Sequence, residues 1–328
     1  MGFNFVSFFP SAVMQGIPLL FGSTGEILTE KSGNLNLGIP GIMYVGSISG
    51  VIGSFFYEQA AGGQLNGFLA IMIPVLCSLL GSLLMGLLYC FLTVTLRANQ
   101  NVTGLALTIF GTGVGQFLGE YMRVREGTYV AVGNSLKSAF QNSPFPRFLQ
   151  ELPVAGPLLF GYNIFVYLGV AVAVIMALYL SRTRSGLHLR SVGESPATAD
   201  AAGINVTRYK YLATILGGGI SAIGGMVYIM TVAGAVWNHE DLSGEGWLAV
   251  ALVIFCLWSP LRALWGSALF GGLMILYLRL VLPFFPTQLY KILPYVVTVV
   301  VLVAVSMRQK RENQPPASLG NAYFREER

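Results

Sequence analysis

The longest polar interruption with helical signals in this chain reads Arg182-Thr-Arg-Ser-Gly-Leu-His-Leu-Arg-Ser-Val-Gly-Glu-Ser-Pro-Ala-Thr-Ala-Asp-Ala-Ala-Gly-Ile-Asn-Val206. Inside it, Ser195 is suited to cap a helix, Pro196 to begin it, Ala197–Ala202 to continue it and Gly203 to end it. We therefore predict a short amphipathic helix of about two turns at a membrane surface. The stretch fits either an ordinary inner loop that contains a helix or a docking element that receives mechanical work from a soluble partner.

The composition around this stretch is that of a polytopic membrane protein. Of 328 residues, 54% are hydrophobic and only 10% are charged, too few charges to cover a water-soluble surface. The 40 glycines are typical of closely packed membrane helices. The net charge of +5 does not indicate a nucleic-acid partner, because the basic residues lie at the ends of apolar segments.

Apolar segments of about 20 residues predict an all-α membrane helical bundle of about nine transmembrane helices, within a range of about eight to ten. The predicted spans are residues 6–28, 38–57, 68–96, 102–121, 162–181, 207–231, 246–260, 262–282 and 288–307. They form one membrane domain, residues 1–307, with an outer loop at 122–161 and an inner loop at 182–206. The charged tail, residues 308–328, is expected to be disordered. Most Lys and Arg residues fall on the side of the 182–206 loop, which places the N-terminus outside and the C-terminus in the cytoplasm.

Residue patterns for covalent chemistry are missing from the sequence. No G-x-x-x-x-G-K-[ST] phosphate loop occurs, so the chain lacks that ATP-hydrolysing motif. His188 and His239 have no neighbours suited to metal binding, and Cys77, Cys90 and Cys256 lack metal-ligand spacing. No carboxylate cluster lies within a span, as a proton- or sodium-coupled pump would show. We expect no catalytic residue, no metal site and no cofactor in this chain.

Two polar features follow one another at the end of the first span. Glu26 either reaches water at the membrane interface or orders the polar break that follows it. That break, Glu30-Lys-Ser-Gly-Asn-Leu-Asn-Leu-Gly-Ile-Pro-Gly41, carries Asn34 and Asn36, and Pro40 prevents regular helical hydrogen bonding there. Irregular backbone at membrane depth is tolerated where it is buried in protein or lines a watery cavity. The break therefore fits either a plain inner turn or an unwound element beside a solute path.

The start of the fourth span is also polar. Asn99, Asn101 and Thr103 offer donors and acceptors to a polyhydroxyl or nucleobase solute, but they suit capping of the helix equally well. Further along this span, glycines recur every four residues from Gly111 to Gly119 and predict close helix packing.

Four stretches together resemble one transporter family. They are Glu30–Gly38 followed by Gly41, Arg97–Gly111, Leu189–Asn205, and Gly244–Phe255 continuing to Phe270-Gly-Gly272. In this order and spacing the chain resembles a permease subunit of bacterial ABC importers. The family serves ribose and other simple sugars, nucleosides and branched-chain amino acids, and the resemblance is closest to the nucleoside and simple-sugar branch.

The resemblance implies a coupling helix within the 182–206 loop. The residues that would sit in a cleft of a cytoplasmic ATPase are Gly193, Glu194, Ser195, Pro196, Ala197, Thr198, Ala199, Asp200, Ala201, Ala202 and Gly203. ATP and Mg²⁺ would be bound by that ATPase. A second permease subunit, often a different chain, would enclose the pathway, and an extracytoplasmic binding protein, a lipoprotein in many bacteria, would deliver the solute. Many relatives carry Glu where this chain has Pro40, so no role of that carboxylate is carried over, and the departure fits the diverged half of a heterodimer.

The resemblance also implies a location and a mechanism. The chain would lie in the bacterial cytoplasmic membrane and switch a midplane cavity between outward and inward access. Asn34, Asn36, Asn99, Asn101 and Thr103 are the hypothetical polar contributors to the solute path, with a nucleoside as the first expected solute and a simple sugar as the second. The alternative is a stand-alone secondary transporter, and a membrane-embedded enzyme comes third.

Overall fold

The computed structural model describes residues 5–62, 64–127, 130–238, 242, 244–279, 287–308 and 314–327. Regular structure within these residues is helical, and their one strand-like pairing is an isolated bridge between Ala131 and Val236. The all-α membrane architecture predicted from the apolar segments is therefore confirmed. His239, one of the two histidines considered for metal binding, falls outside the described residues.

The α-helices follow the apolar segments closely. They are α1 (Phe5–Glu30), α2 (Ile39–Ala61), α3 (Gly67–Cys90), α4 (Gln100–Glu126), α5 (Asn134–Gln141), α6 (Arg147–Gln150), α7 (Ile164–Arg182), α8 (Arg184–Glu194), α9 (Pro196–Ala201), α10 (Val206–Val227), α11 (Glu245–Phe255), α12 (Pro260–Arg279) and α13 (Thr287–Arg308). Segments of π-helix, Phe91–Thr95 and Tyr228–Val232, extend α3 and α10, and a third, Gly156–Phe160, precedes α7.

Length and apolar composition identify the helices that could cross a membrane. Six qualify among the described residues: Val6–Glu30, Ile39–Ala61, Gly67–Thr95, Gln100–Glu126, Ile164–Arg182 and Val206–Val232. Three shorter apolar helical segments, Glu245–Phe255, Pro260–Leu276 and Ile292–Val303, coincide with the last three predicted spans. The chain is thus a multi-pass membrane protein, while the total of nine spans stays a prediction.

Small residues set how closely the central helices pack. α10 lies against α1, α2 and α3, and α4 lies against α2. A Cβ atom on Gly111 of α4 would fall 2.6 Å from the carbonyl oxygen of Gly41 in α2, so the two backbones meet there without a side chain between them. The glycine spacing therefore marks a helix-packing face, as predicted.

The two ends of the bundle are built differently. At the end that we call the inner end lie the turn 31–38, the loop 183–205 and the tail 314–327, in mutual contact. At the opposite end, Val132 N donates to Ala235 O at 2.9 Å. There Gly133 N also donates to the Glu58 carboxylate at 2.7 Å, which ties the predicted outer loop to the end of α2. Both α5 and α6 lie within that outer loop.

Candidate coupling site at the inner end

The turn between α1 and α2 is enclosed by protein. Ser32, Asn34 and Asn36 have no exposed surface. A polar turn without access to water must satisfy its backbone groups internally, since each unpaired buried group costs about 1–3 kcal/mol. The turn 31–38 is therefore irregular backbone that is largely buried in protein, and a place for it beside a solute path stays a prediction.

Side chains from distant helices satisfy the backbone of this turn. Leu35 N donates to the Gln100 side-chain oxygen at 2.7 Å, and Leu35 O accepts from the Tyr89 hydroxyl at 2.5 Å. Leu37 O accepts from the Thr108 hydroxyl at 2.7 Å. The turn is thus held to the inner end of α3 and to the first turns of α4.

Two carboxylates of α1 close the other side of the turn. Glu26 has no exposed surface, and its Oε1 accepts from Asn36 N at 3.3 Å. Glu30 is also buried and accepts from the indole N–H of Trp258, in the loop between α11 and α12. The interpretation of Glu26 as a carboxylate that reaches water is therefore wrong, and its contact is the one expected of a residue that orders the polar break.

Asn34 and Asn36 make internal contacts and leave part of each amide unused. Asn34 Nδ2 donates to the Thr214 hydroxyl of α10 at 2.9 Å, and Asn36 Oδ1 accepts from Gly38 N at 3.0 Å. Asn34 Oδ1 and Asn36 Nδ2 have no hydrogen-bond partner among the described residues, although both atoms are buried. These unused polar atoms are the feature of the turn that packing alone does not explain.

The polar residues at the start of α4 do not all face the turn. Asn99 is exposed and caps the helix, its side chain accepting from Val102 N at 3.1 Å. Asn101 is exposed as well, whereas Thr103 is buried. Gln100 between them is 2% exposed and reaches the turn, a role that sequence reasoning missed. The helical period of α4 could have indicated this role, because Gln100 begins a series of buried residues spaced three or four apart, and the others are mostly small or apolar.

The coupling loop, residues 183–205, contains two helices where one was predicted. In α9, the Ser195 side chain accepts from Thr198 N at 3.4 Å and Pro196 occupies the first position. Gly203 then adopts a φ of +82°, the left-handed conformation of a helix stop. These local signals agree with the predicted helix. The preceding helix α8 was missed, although Thr183 caps it by accepting from Gly186 N at 2.9 Å.

The short helix α9 has one packed face and one outward face. Ala199 is 3% exposed and packs with Val192 and Val206 in a small apolar cluster that Tyr323 also contacts. The exposed members of the predicted coupling set are Glu194, Thr198, Ala201, Ala202 and Gly203. A soluble partner could therefore bind the outward face while the inner face stays attached to the bundle.

Gly193 joins the coupling loop to the buried turn. A Cβ atom on Gly193 would fall 2.3 Å from Lys31 O and 3.2 Å from Gly33 N, so the two backbones are in direct contact. Burial lowers the pKa of the Lys31 ammonium, and the nearby Glu194 carboxylate acts in the opposite direction. A displacement of the loop at Gly193 would also move the turn, because the backbones of the two segments are in direct contact.

The C-terminal tail was expected to be disordered, and its described part, residues 314–327, instead packs on this junction. Ser318 N donates to Gly193 O at 3.0 Å, and Gly320 N donates to Gly33 O at 3.3 Å. Gln100 Nε2 donates to Asn321 O at 3.3 Å. The tail therefore bonds to both the coupling loop and the buried turn. Its many charges suggested disorder, but backbone groups make most of these contacts.

The last part of the tail also contacts α9. The Tyr323 hydroxyl donates to Asp200 Oδ2 at 2.8 Å, and Arg325 Nε lies 3.2 Å from the same oxygen. Asp200 was predicted to belong to the coupling set, and the structure adds two tail partners to it. The inner end is thus a three-part assembly of turn, coupling loop and tail.

Comparisons with known proteins agree on one type of membrane subunit. A family model described as a branched-chain amino acid transport system permease component matches residues 10–302. The nucleoside ABC transporter permease protein NupC of Lactococcus lactis is 31% identical, over 88% of this chain and 89% of its own. The guanosine ABC transporter permease protein NupQ of Bacillus subtilis is 29% identical, over 89% and 90%. The provisionally named glucose ABC transporter permease protein TsgC13 of Haloferax volcanii is 33% identical, over 82% and 76%.

Proposed function

The chain belongs to the family of branched-chain amino acid transport system permease components, and from this premise we propose that it is the transmembrane permease subunit of an ATP-driven ABC importer. Its own task is non-catalytic. Partner ATPase subunits in the cytoplasm bind ATP and Mg²⁺ and hydrolyse the nucleotide. A second permease subunit, a different homologous chain, completes the pathway in the cytoplasmic membrane, and an extracytoplasmic binding protein delivers the solute. The N-terminus lies outside and the C-terminus in the cytoplasm.

The observation that carries the proposal is the contact between Gly193 and the turn at Lys31–Gly33. ATP-driven closure of the ATPases moves α9 through its outward face. Gly193 lies near the end of α8, three residues before α9 begins, so this motion is delivered to the backbone of the buried turn. The turn is bonded to α4 through Gln100 and to α10 through Asn34, so the helices move as bodies and alternate access to a central cavity.

The proposed solute is a nucleoside, with a simple sugar as the second candidate. Two of the similar permeases are named for guanosine or nucleosides and one for glucose. A nucleoside and a sugar are both uncharged and rich in hydrogen-bonding groups, which fits a path with polar but uncharged contacts. Asn34, Asn36, Asn99, Asn101 and Thr103 are the proposed polar contributors to that path, or to its gate.

Within the proposed solute path, the buried residues Asn34 and Asn36 give the most direct test. The two atoms without a partner, Asn34 Oδ1 and Asn36 Nδ2, would be satisfied if the turn opened toward the cavity in another state. We expect replacement of both residues by Ala to reduce uptake in a complex that still assembles, while Asn134→Ala in the exposed part of α5 leaves uptake unchanged. Normal uptake by an intact double variant would remove both residues from the path.

One experiment on the reconstituted complex tests both the transporter class and the solute. ATPase activity is measured in lipid with the binding protein and a panel of nucleosides and sugars. Stimulation by nucleosides but not by ribose supports the nucleoside branch, and the reverse result supports the sugar branch. The alternative, a stand-alone secondary transporter, would instead require the isolated chain to move solute down an ion gradient without any ATPase.

A further inference from the structure

A cleft of about 650 Å³ opens at the inner end, beside α9 and away from the buried turn. Three segments and the tail form it: the end of α3, the junction between α9 and α10, the first turns of α10, and the last residues of the tail. Its charged lining residues are Arg97, Asp200, Arg208, Lys210 and Arg325. Four cationic side chains thus face a single carboxylate, which is an unusual concentration of positive charge for a chain with only 10% charged residues.

Two of these cations have no anionic partner within the part of the chain that the structure describes. Asp200 is engaged by Arg325 at 3.2 Å, and Arg97 lies 4.0 Å from Glu326 in the exposed tail. Arg208 and Lys210 form no ion pair among the described residues. Lys210 is only 3% exposed and nevertheless lines the cleft. The Lys210 side chain is therefore largely buried and lines the cleft with no anion beside it among the described residues, and an anion bound in the cleft would pair with its ammonium.

The helix geometry adds a second anion-binding element. α10 is 22 residues long and begins at Val206, so its first amides and the positive end of its dipole face the same cleft. Asn205 caps only one of these amides, accepting from Arg208 N at 2.9 Å. Val206 and Thr207 line the cleft, and their N–H groups have no acceptor among the described residues; free amides at a helix start are a common site for phosphate groups.

Arg97 is held on the cleft by unusual backbone. Its φ is +57°, in the left-handed region that non-glycine residues rarely adopt. The guanidinium lies over the Phe324 ring, 4.8 Å from the ring centre. Such conformations persist where the surrounding structure holds them, often at binding sites. The backbone conformation of Arg97 and its contact with Phe324 therefore both hold the side chain at the cleft.

Exposed apolar side chains lie beside the cleft, one next to Arg97 and two at four-residue spacing after Arg208 on the same face of α10. Leu96 is 58% exposed, and Leu212 and Leu216, one turn apart on α10, are 47% and 58% exposed. A bilayer would cover these residues, which places the cationic cleft at the level of the inner headgroups. The solute of the proposed transport function is uncharged and would gain nothing from these cations.

We propose that this cleft binds a phosphate group, supplied by an anionic phospholipid of the inner leaflet. Lys210 and Arg208 pair with the phosphate oxygens, the first amides of α10 donate to them, and the acyl chains lie along Leu212 and Leu216. Binding would fasten the tail and the start of α10 to the base of the coupling loop. The site is independent of which solute the chain transports.

The test is a binding titration of acyl-chain-labelled phosphatidylglycerol to the purified full-length protein in neutral detergent. We expect Lys210→Met and Arg208→Gln each to weaken binding by about tenfold or more, since each removes a charge-assisted contact. Lys137→Met, which removes a cation at the opposite end of the bundle, should bind as the wild type does. Arg208 is exposed, so Arg208→Gln provides the test even if Lys210→Met fails to fold.

Competition identifies the source of the phosphate. Unlabelled phosphatidylglycerol should displace the probe, and phosphatidylcholine should not. Displacement by millimolar inorganic phosphate at constant ionic strength would support the phosphate site but assign it to a soluble phosphate. Equal binding by wild type, Lys210→Met and Arg208→Gln would overturn the proposal. Thermal unfolding without anionic lipid distinguishes lipid binding by Lys210 from a purely structural role. Lys210→Met should then be at least as stable as the wild type, because it removes an unpaired charge from a largely buried side chain.

Discussion

The turn 31–38 and the coupling loop 183–205 are both polar interruptions between apolar helices, yet they are stabilised in opposite ways. The coupling loop uses its own caps: Thr183 for α8, Ser195 for α9 and Asn205 for α10. The turn has partners that are distant in sequence, among them Gln100 and Thr214. The self-capped helices of the loop can move together with the tail that is bonded to Gly193 and Asp200, whereas the turn cannot move without moving the helices bonded to it. This difference fits the proposed roles, in which the coupling loop receives the motion of the ATPase and the turn transmits it to the helices.

The largest expected effect comes from separating the two regions where they touch. Gly193→Ala would place a Cβ atom 2.3 Å from Lys31 O, so the backbone must shift. We expect a loss of about 1–3 kcal/mol in stability and at least a tenfold loss of uptake in vesicles, because the contact that we propose to transmit motion is displaced. Gly113→Ala is the matched control, since no atom lies within 4 Å of its added Cβ. Equal uptake by the two variants would mean that the junction transmits nothing.

The next effect comes from the side chain that bonds the turn to α4 and also contacts the tail. Gln100→Ala removes the acceptor of the half-buried Leu35 N–H and the donor to Asn321 O, at a cost of about 1–3 kcal/mol. Asn101→Ala, at the exposed neighbouring position, should change stability by less than about 0.5 kcal/mol. Thermal unfolding of the purified protein measures both. If the two variants unfold alike, the hydrogen bond from Leu35 N to the Gln100 side chain does not stabilise the turn.

The coupling loop should be more tolerant. Ser195→Ala removes the cap of α9 and should destabilise that helix by about 1 kcal/mol, while Ser195→Asp retains a capping oxygen. Hydrogen exchange of the α9 amides should therefore accelerate in the Ala variant and not in the Asp variant, with the turn 31–38 unaffected. Faster exchange in the turn as well would show that the two regions are a single cooperative unit.

The smallest effect concerns the tail, which bridges the two regions. Tyr323→Phe removes the hydrogen bond to Asp200 and should cost about 0.5–1 kcal/mol, because the site is partly exposed and Arg325 still pairs with the same carboxylate. Limited proteolysis within residues 314–327 should become faster. Tyr121→Phe, at a position 55% exposed on α4, is the control. Unchanged proteolysis would show that backbone contacts alone hold the tail.

Local chemistry explains which parts of the inner end could be predicted from sequence. The N-cap Ser195, the following Pro196 and the stop at Gly203 each depend on neighbours within four residues, so α9 was predictable. Helix α8 was equally local and was missed, although its buried positions at Gly186, Leu189 and Val192 follow a helical period.

The membrane class, the apolar spans, the glycine packing face of α4 and the Ser195 cap of α9 were determined by the sequence alone, because each rests on composition or on spacing within a few residues. Only the tertiary structure decided that Glu26 is buried, that Gln100 rather than Asn99 or Asn101 reaches the turn, and that the tail packs on Gly193. Those facts depend on backbone groups that meet across 60 or more residues of chain, or on burial produced by neighbouring helices. No local pattern records which distant group satisfies a buried polar atom, and the same polar residue serves as a surface cap or an internal bridge according to what packs beside it.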